Sequence, residues 1–213
     1  KKYRRVRIIG HAQSWWSHIR AEVPPPEESL YPTGPVRPGG LLDKMRDHNM
    51  INLRDSESFP GVYSVNFTHK AFNDAAWDDY TTVARGLYID GEARTVVARS
   101  YEKFFNLNER PETQESSLAK NVNFPVHAYE KANGFLGITG YSERHGKLVI
   151  ASKSVTDGTF PGIARDVIED AIGPDGMERM LRFNRDQQAS LVFEIEDERM
   201  GLGLFGGGDH LGF

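Results

Sequence analysis

The chain has 213 residues, 38% of them hydrophobic, 26% charged and 11% aromatic, the profile of a compact domain able to bury a core of its own. It contains no cysteine, which excludes a disulfide scaffold and a thiolate metal site, and no apolar run approaches the ~18 residues of a membrane span. The formal charge of −4 disfavours a broad polyanion-binding face but leaves room for a local cationic groove at a strand end, and the expectation is an intracellular protein, cytoplasmic or nuclear, with no membrane partner and a monomeric state.

Taken in chain order, residues 5–9 read as a short strand, and the proline-dense stretch 22–40 as a loop. Residues 41–50 have helical character, 62–67 alternate as a strand, and 73–83 read as a second helix. Strands at 85–89 and 94–99 flank the turn Asp90, Gly91, a hairpin signal. The polar segment 111–120 lacks periodicity and reads as a surface loop. Residues 126–141 and 147–152 read as two strands around a polar turn at 142–146, with Lys131 inside the hairpin. In 162–172 the residues Ile163, Val167, Ile168 and Ile172 recur at helical spacing until Gly173 and Pro174 stop the helix, and a further helix follows at 177–186. Residues 191–195 form one more strand, and the glycine-rich end carries no pattern. Strands outnumber helices and do not alternate with them one for one, so the fold class is α+β with antiparallel sheets.

Lys131 opens Lys131, Ala132, Asn133, Gly134. A lysine attacks as its neutral amine, which burial or neighbouring cations favour. Asn133 offers both a donor and an acceptor to a ligand, and Gly134 lets a backbone come close to a nucleotide or phosphate without a Cβ in the way. Glu194 sits in a strand whose neighbours Val192, Phe193 and Ile195 are all apolar, so its carboxylate needs a partner. His69 and His127 acquire no catalytic role, and Trp15 and Trp16 are read as packing residues.

Several segments, in fixed order, resemble the T4 RNA ligase 1 family and the adenylyltransferase domain of fungal tRNA ligases. They are Ala84, Arg85, Gly86 with the strand that follows; Tyr101 to Glu109, YEKFFNLNE; Lys131 to Gly134, with the Asn133 form of the fungal enzymes; Ala151, Ser152, Lys153; and Phe193, Glu194 within LVFEIED. The resemblance covers residues 63–196. It implies the antiparallel-sheet, ATP-grasp-like nucleotidyltransferase fold of RNA and DNA ligases, with an ATP pocket between two sheets and Lys131 at its floor. Residues 1–60 are then an N-terminal extension with a Pro-rich loop in the same domain, and 61–213 the core. The implied activity is an ATP-dependent RNA ligase that joins 5′-phosphate and 3′-hydroxyl ends through a covalent lysyl-AMP. Its partners would be ATP and RNA, as tRNA halves or nicked RNA, in tRNA splicing or RNA repair, with Mg²⁺ or Mn²⁺.

By the same resemblance Lys131 attacks the α-phosphate, Arg85 contacts ribose or RNA phosphate, and Lys103 and Lys153 meet the nucleotide's phosphates. Phe105 stacks on adenine, with Phe104 or Phe105 expected to serve packing alone. Glu130 and Asn133 contribute to nucleotide binding beside Gly134, and Glu194 binds a ribose hydroxyl or a metal-bound water. The family's later Glu-Gly and Lys-x-Lys strands have no counterpart after Glu198, where the segment from Arg199 holds no lysine, so the core is expected to lack its last motifs. The alternatives are a nucleotidyltransferase with another acceptor and a non-catalytic RNA- or nucleotide-binding module of the same fold.

Overall fold

The computed structural model describes residues 4–11, 40–126 and 131–200, the first of these as a backbone strand only. Two four-stranded antiparallel sheets form the frame. The first contains β1 (Arg4–His11), β8 (Leu191–Asp197), β6 (Phe135–Ser142) and β7 (Lys147–Ala151), in that order. The second runs β2 (Ile51–Asp55), β3 (Val62–Phe67), β4 (Leu87–Asp90), β5 (Thr95–Arg99). The sheets face each other across Val62, Tyr88, Val97, Ala98, Ile138, Val149 and Ala151, all buried. At one point the backbones nearly touch: a Cβ on Gly140 of β6 would fall 2.1 Å from the carbonyl oxygen of Val97 on β5, so only glycine fits.

Helices cover the outer faces. The longest, α5 (Thr159–Asp186), lays Ile163, Ala164, Val167, Ile168 and Met180 on Ile150, Phe193 and Ile195 of the first sheet. Gly173 (φ 65°, ψ 179°) divides it into two arms, in a region of backbone space that is essentially glycine's alone, and Pro174 starts the second arm. On the second sheet, Leu41 and Met45 of α1 (Leu41–Arg46) pack with Ile51, Val65, Leu87 and Ile89. With both faces covered, all four residues of β4 are buried. Among the described residues no helix is long and apolar enough to cross a membrane.

The antiparallel α+β class and most strand positions match the sequence reading, and five details differ. The strand expected from residue 126 begins only at Phe135, so Lys131 lies in the irregular segment ahead of β6 rather than in the hairpin. Residues 111–120 are not a loop: they form a 3₁₀ turn, Pro111–Thr113, and a short helix α4 (Glu115–Asn121), neither burying a residue, which is why no apolar period announced them. The helix expected at 73–83 is two, α2 (His69–Asn73) and α3 (Asp79–Val83), each started by its own cap. Thr68 accepts from the Ala71 amide, and Asp78 from those of Tyr80 and Thr81. The first helix stops at Arg46, short of residue 50. Strand β2, INLRD, was not anticipated, since one buried residue in five leaves no alternation to read.

Candidate active site

The segment carrying Lys131 runs into β6, and β6 pairs with β8 so that Leu136 faces Glu194 in register. The Gly134 amide donates to Glu194 Oε1 at 2.8 Å. The demand for glycine here comes from a different neighbour than the sequence suggested. A Cβ at Gly134 would sit 2.2 Å from the carbonyl oxygen of Ile195, so the close approach is to β8 itself. Lys131 and Asn133 are exposed, and Lys131 is near enough for its charge to act on Glu194. Burial pushes the half-buried Glu194 carboxyl above the usual glutamate range, opposed by the Gly134 amide and by the charges of Lys131 and Arg85.

Arg85 lies in the three-residue connection from α3 into β4, between Ala84 and Gly86. Its guanidinium donates to Ser100 Oγ at 3.2 Å and to the Tyr101 carbonyl at 3.4 Å, and the Phe104 ring lies 5.3 Å away. The turn beneath it is held by the buried Asn66 of β3, whose Oδ1 accepts from the Gly86 amide at 2.9 Å. Burial lowers the arginine's proton affinity and the charge of Glu194 restores part of it. Lys153, just past the end of β7, is half-buried with its ammonium 5.2 Å from the Phe67 ring. Burial, and after it the like charge of Arg85, hold its ammonium below the usual lysine range. Two half-buried cations that repel each other form a place where a phosphate would relieve the repulsion.

Lys103 and Phe105 stand differently. The Lys103 ammonium donates to the Phe104 carbonyl at 2.6 Å and to Glu109 Oε1 at 3.2 Å, among the rings of Phe105 (4.3 Å), Trp77 (5.3 Å) and Phe72 (5.9 Å). Its side chain keeps only 10% exposure. The Phe105 ring meets Lys103, the Arg110 guanidinium at 4.4 Å and the edge of Trp77, whereas Phe104 is 62% exposed. The element YEKFFNLNE is therefore a cross-linked turn, closed by Glu109, which also accepts from the Asn106 amide at 2.6 Å.

Four separate stretches of sequence are thus linked: Gly134 is bonded to Glu194, the charges of Lys131 and Arg85 act on Glu194, and that of Arg85 acts on Lys153. Lys103 and Phe105 form a neighbouring aromatic cage. Glu130 and His127 lie outside the described residues, as do Trp15 and Trp16; His69 is exposed at the start of α2. One cleft between the sheets is lined by Arg54, Ser64, Tyr88, Ser154, Thr156 and Asp157, another by Leu42, Tyr63, Arg94 and their neighbours, and neither includes Lys131. Sequence reasoning missed Phe72 and Trp77 around Lys103 and Asn66 and Ser100 around Arg85. Nothing in their local sequence marks them, since they reach the site only through strand pairing and loop packing.

A stretch of 74 residues is 38% identical to the tRNA ligase of Candida albicans (strain SC5314 / ATCC MYA-2876), covering 34% of this chain and 8% of that protein. Residues 83–201, more than half of the chain, match the RNA ligase family of the T4 RNA ligase 1 type, and they contain Arg85, Lys131, Lys153 and Glu194 together. The chain belongs to that RNA ligase family.

Proposed function

We propose that the chain is the adenylyltransferase core of an ATP-dependent RNA ligase, with Lys131 as its nucleophile and the nucleotidyltransferase fold of ligases as its frame. The observation that carries this reading is that the charges of Lys131 and Arg85 both act on the half-buried Glu194, whose carboxylate also accepts from the Gly134 amide, and that Arg85 in turn acts on Lys153. In the first step the Lys131 amine forms a bond to the α-phosphorus of ATP, and the bond to pyrophosphate breaks. The RNA 5′-phosphate then takes AMP from the lysine, and a 3′-hydroxyl attacks that phosphate and releases AMP. Arg85 and Lys153 compensate the charge that develops on phosphate oxygens. Lys103 reaches a phosphate only by leaving its cage of rings. The exposed Phe104 ring, rather than the covered face of Phe105, is open to a base in this state.

The donor set fits Mg²⁺ or Mn²⁺ carried in by ATP. Such an ion keeps several waters and takes one or two carboxylates beside the substrate's phosphates, and Glu194 is the carboxylate on which the charges of Lys131 and Arg85 act. When bound, the ion would supply Lewis-acid stabilisation at the phosphates. The named function of the Candida relative makes broken tRNA the substrate to try first, in splicing or repair.

The test is incubation with magnesium and α-labelled ATP, then denaturing electrophoresis and peptide mass spectrometry. The expected result is one AMP-bearing peptide containing Lys131 and no label on Lys131→Ala. Label retained by that variant, or found on another lysine, refutes the assignment. ATP binding with no adduct in either protein points to the non-catalytic binding module.

A further inference from the structure

The loop that follows β7 belongs by sequence to the first sheet, yet it is fastened from the second. Tyr88 of β4, 0% exposed, donates its hydroxyl to the Ser152 carbonyl at 2.7 Å. Ser64 of β3 donates to the Ser154 carbonyl at 2.7 Å. These two carbonyls flank Lys153 on either side. Further along, the hydroxyls of Ser56 and Thr156 meet at 2.6 Å, and Asp157 accepts from the amides of Glu57 at 3.0 Å and Ser58 at 3.3 Å. On the first sheet's side the loop closes on itself, the Ser152 amide donating to the Val155 carbonyl at 2.9 Å. Tyr88 is a large hydroxylated ring deep between the sheets, where phenylalanine would pack as well, so its hydroxyl is explained by the bond it makes.

We infer that Tyr88 and Ser64 are positioning residues that hold Lys153 opposite Arg85, so that the two cations reach one phosphate from the two sheets. The inference rests on Lys153 being a phosphate-binding cation of the proposed ligase site, and it adds the device that sets its place. Arg85 stands two residues before the start of β4 and three ahead of Tyr88, and the Asn66 that fixes its turn lies two residues beyond Ser64 on β3. The same two strands therefore set both cations: each holds one group at the Arg85 turn and one at the Lys153 loop. Backbone carbonyls on both sides of a lysine, once bound, leave only its side chain to rotate. A preset pair of cations serves a transferring phosphate better than one that must be assembled during the reaction.

The test uses Tyr88→Phe, which keeps the ring, and Ser64→Ala, which removes one small hydroxyl. Neither residue touches the reacting atoms. Two readouts are taken on each variant in the full chain. The first is formation of the labelled Lys131 adduct against ATP concentration. Loss of one fixing bond raises the KM for ATP about tenfold in Tyr88→Phe, with a similar direction in Ser64→Ala. The second is the pH dependence of Lys153 acylation by acetic anhydride, followed peptide by peptide. In the parent chain Lys153 reacts at lower pH than a free lysine side chain in a short peptide, and in the variants its curve moves toward that of the peptide. A KM and a Lys153 curve both unchanged, with only a lower Tm, show that the hydroxyls merely stabilise the sheet packing and overturn the inference. If the parent chain forms no adduct, the ligase reading fails on its own. The acylation curve then still decides whether Tyr88 and Ser64 place Lys153.

Discussion

Replacing Gly134 by alanine places a methyl group 2.2 Å from the Ile195 carbonyl oxygen and 2.8 Å from its carbon. A carbon and a carbonyl oxygen rest about 3.3 Å apart, so the contact has to open by about 1 Å. Ile195 cannot supply that movement, because it is fully buried and its strand is paired on both sides, with Val6 and with Phe135. The segment bearing Lys131 must move instead, and the 2.8 Å bond from the Gly134 amide to Glu194 opens with it. Overpacking of this kind costs about 1–3 kcal/mol of stability. A misplacement of about 1 Å at Lys131, the proposed nucleophile, lowers the rate about 10²-fold. Urea unfolding measures the first effect, and a single-turnover time course of adduct formation with α-labelled ATP measures the second. An alanine variant that forms the Lys131 adduct at the parent rate refutes the argument, since the loop would then not depend on its approach to β8.

Glu194 makes stability depend on pH in a definite direction. Burial raises its carboxyl above 4.5, so its contribution is fully present below that value and is lost as pH climbs through the raised one. Glu194→Gln retains a carbonyl acceptor for Gly134 and carries no such loss. The Tm of the variant minus that of the parent therefore becomes more positive between about pH 4 and about pH 8. Gly173→Ala meets no atom within 4 Å of its new Cβ but must hold φ near +65°, so urea unfolding reports a loss of about 1–3 kcal/mol from backbone strain alone. Thermal melts separate the neighbouring rings: Phe104→Ala changes stability by less than about 0.5 kcal/mol, and Phe105→Ala, which empties the contact with Trp77, Lys103 and Arg110, by about 1–3 kcal/mol.

The parts of the fold legible in the sequence were those set by local chemistry. Asp90 and Gly91 announced the β4–β5 hairpin, and Asp90 Oδ1 does accept from the amides of Glu92 and Ala93 to make the turn. Gly173 and Pro174 announced the break in α5. The division of the expected 73–83 helix into two of five residues was hidden because such short helices have caps but too little length for a period, and α4 was hidden because it buries nothing. The order of the chemical landmarks along the chain was legible too, while their convergence was not. Glu194 lies 60 residues from Gly134, Ser152 lies 64 from Tyr88, and Ser154 lies 90 from Ser64. No window of sequence contains both members of such a pair, so only the packing of one sheet on the other brings them into contact.

The pairing of β1 with β8 joins the first described strand to the last, Arg4 opposite Asp197 and His11 opposite Leu191. The strand that carries Glu194 is an inner strand only because of this closure. A chain beginning after residue 11 would turn β8 into a bare rim whose free amides and carbonyls, set between Val192 and Ile195, are a template for another extended chain. The closing contact joins segments far apart in sequence, which places it among the slow, late events of folding. Exposure of the β8 edge and late completion of the first sheet thus share one cause, the lateness of a single eight-residue strand.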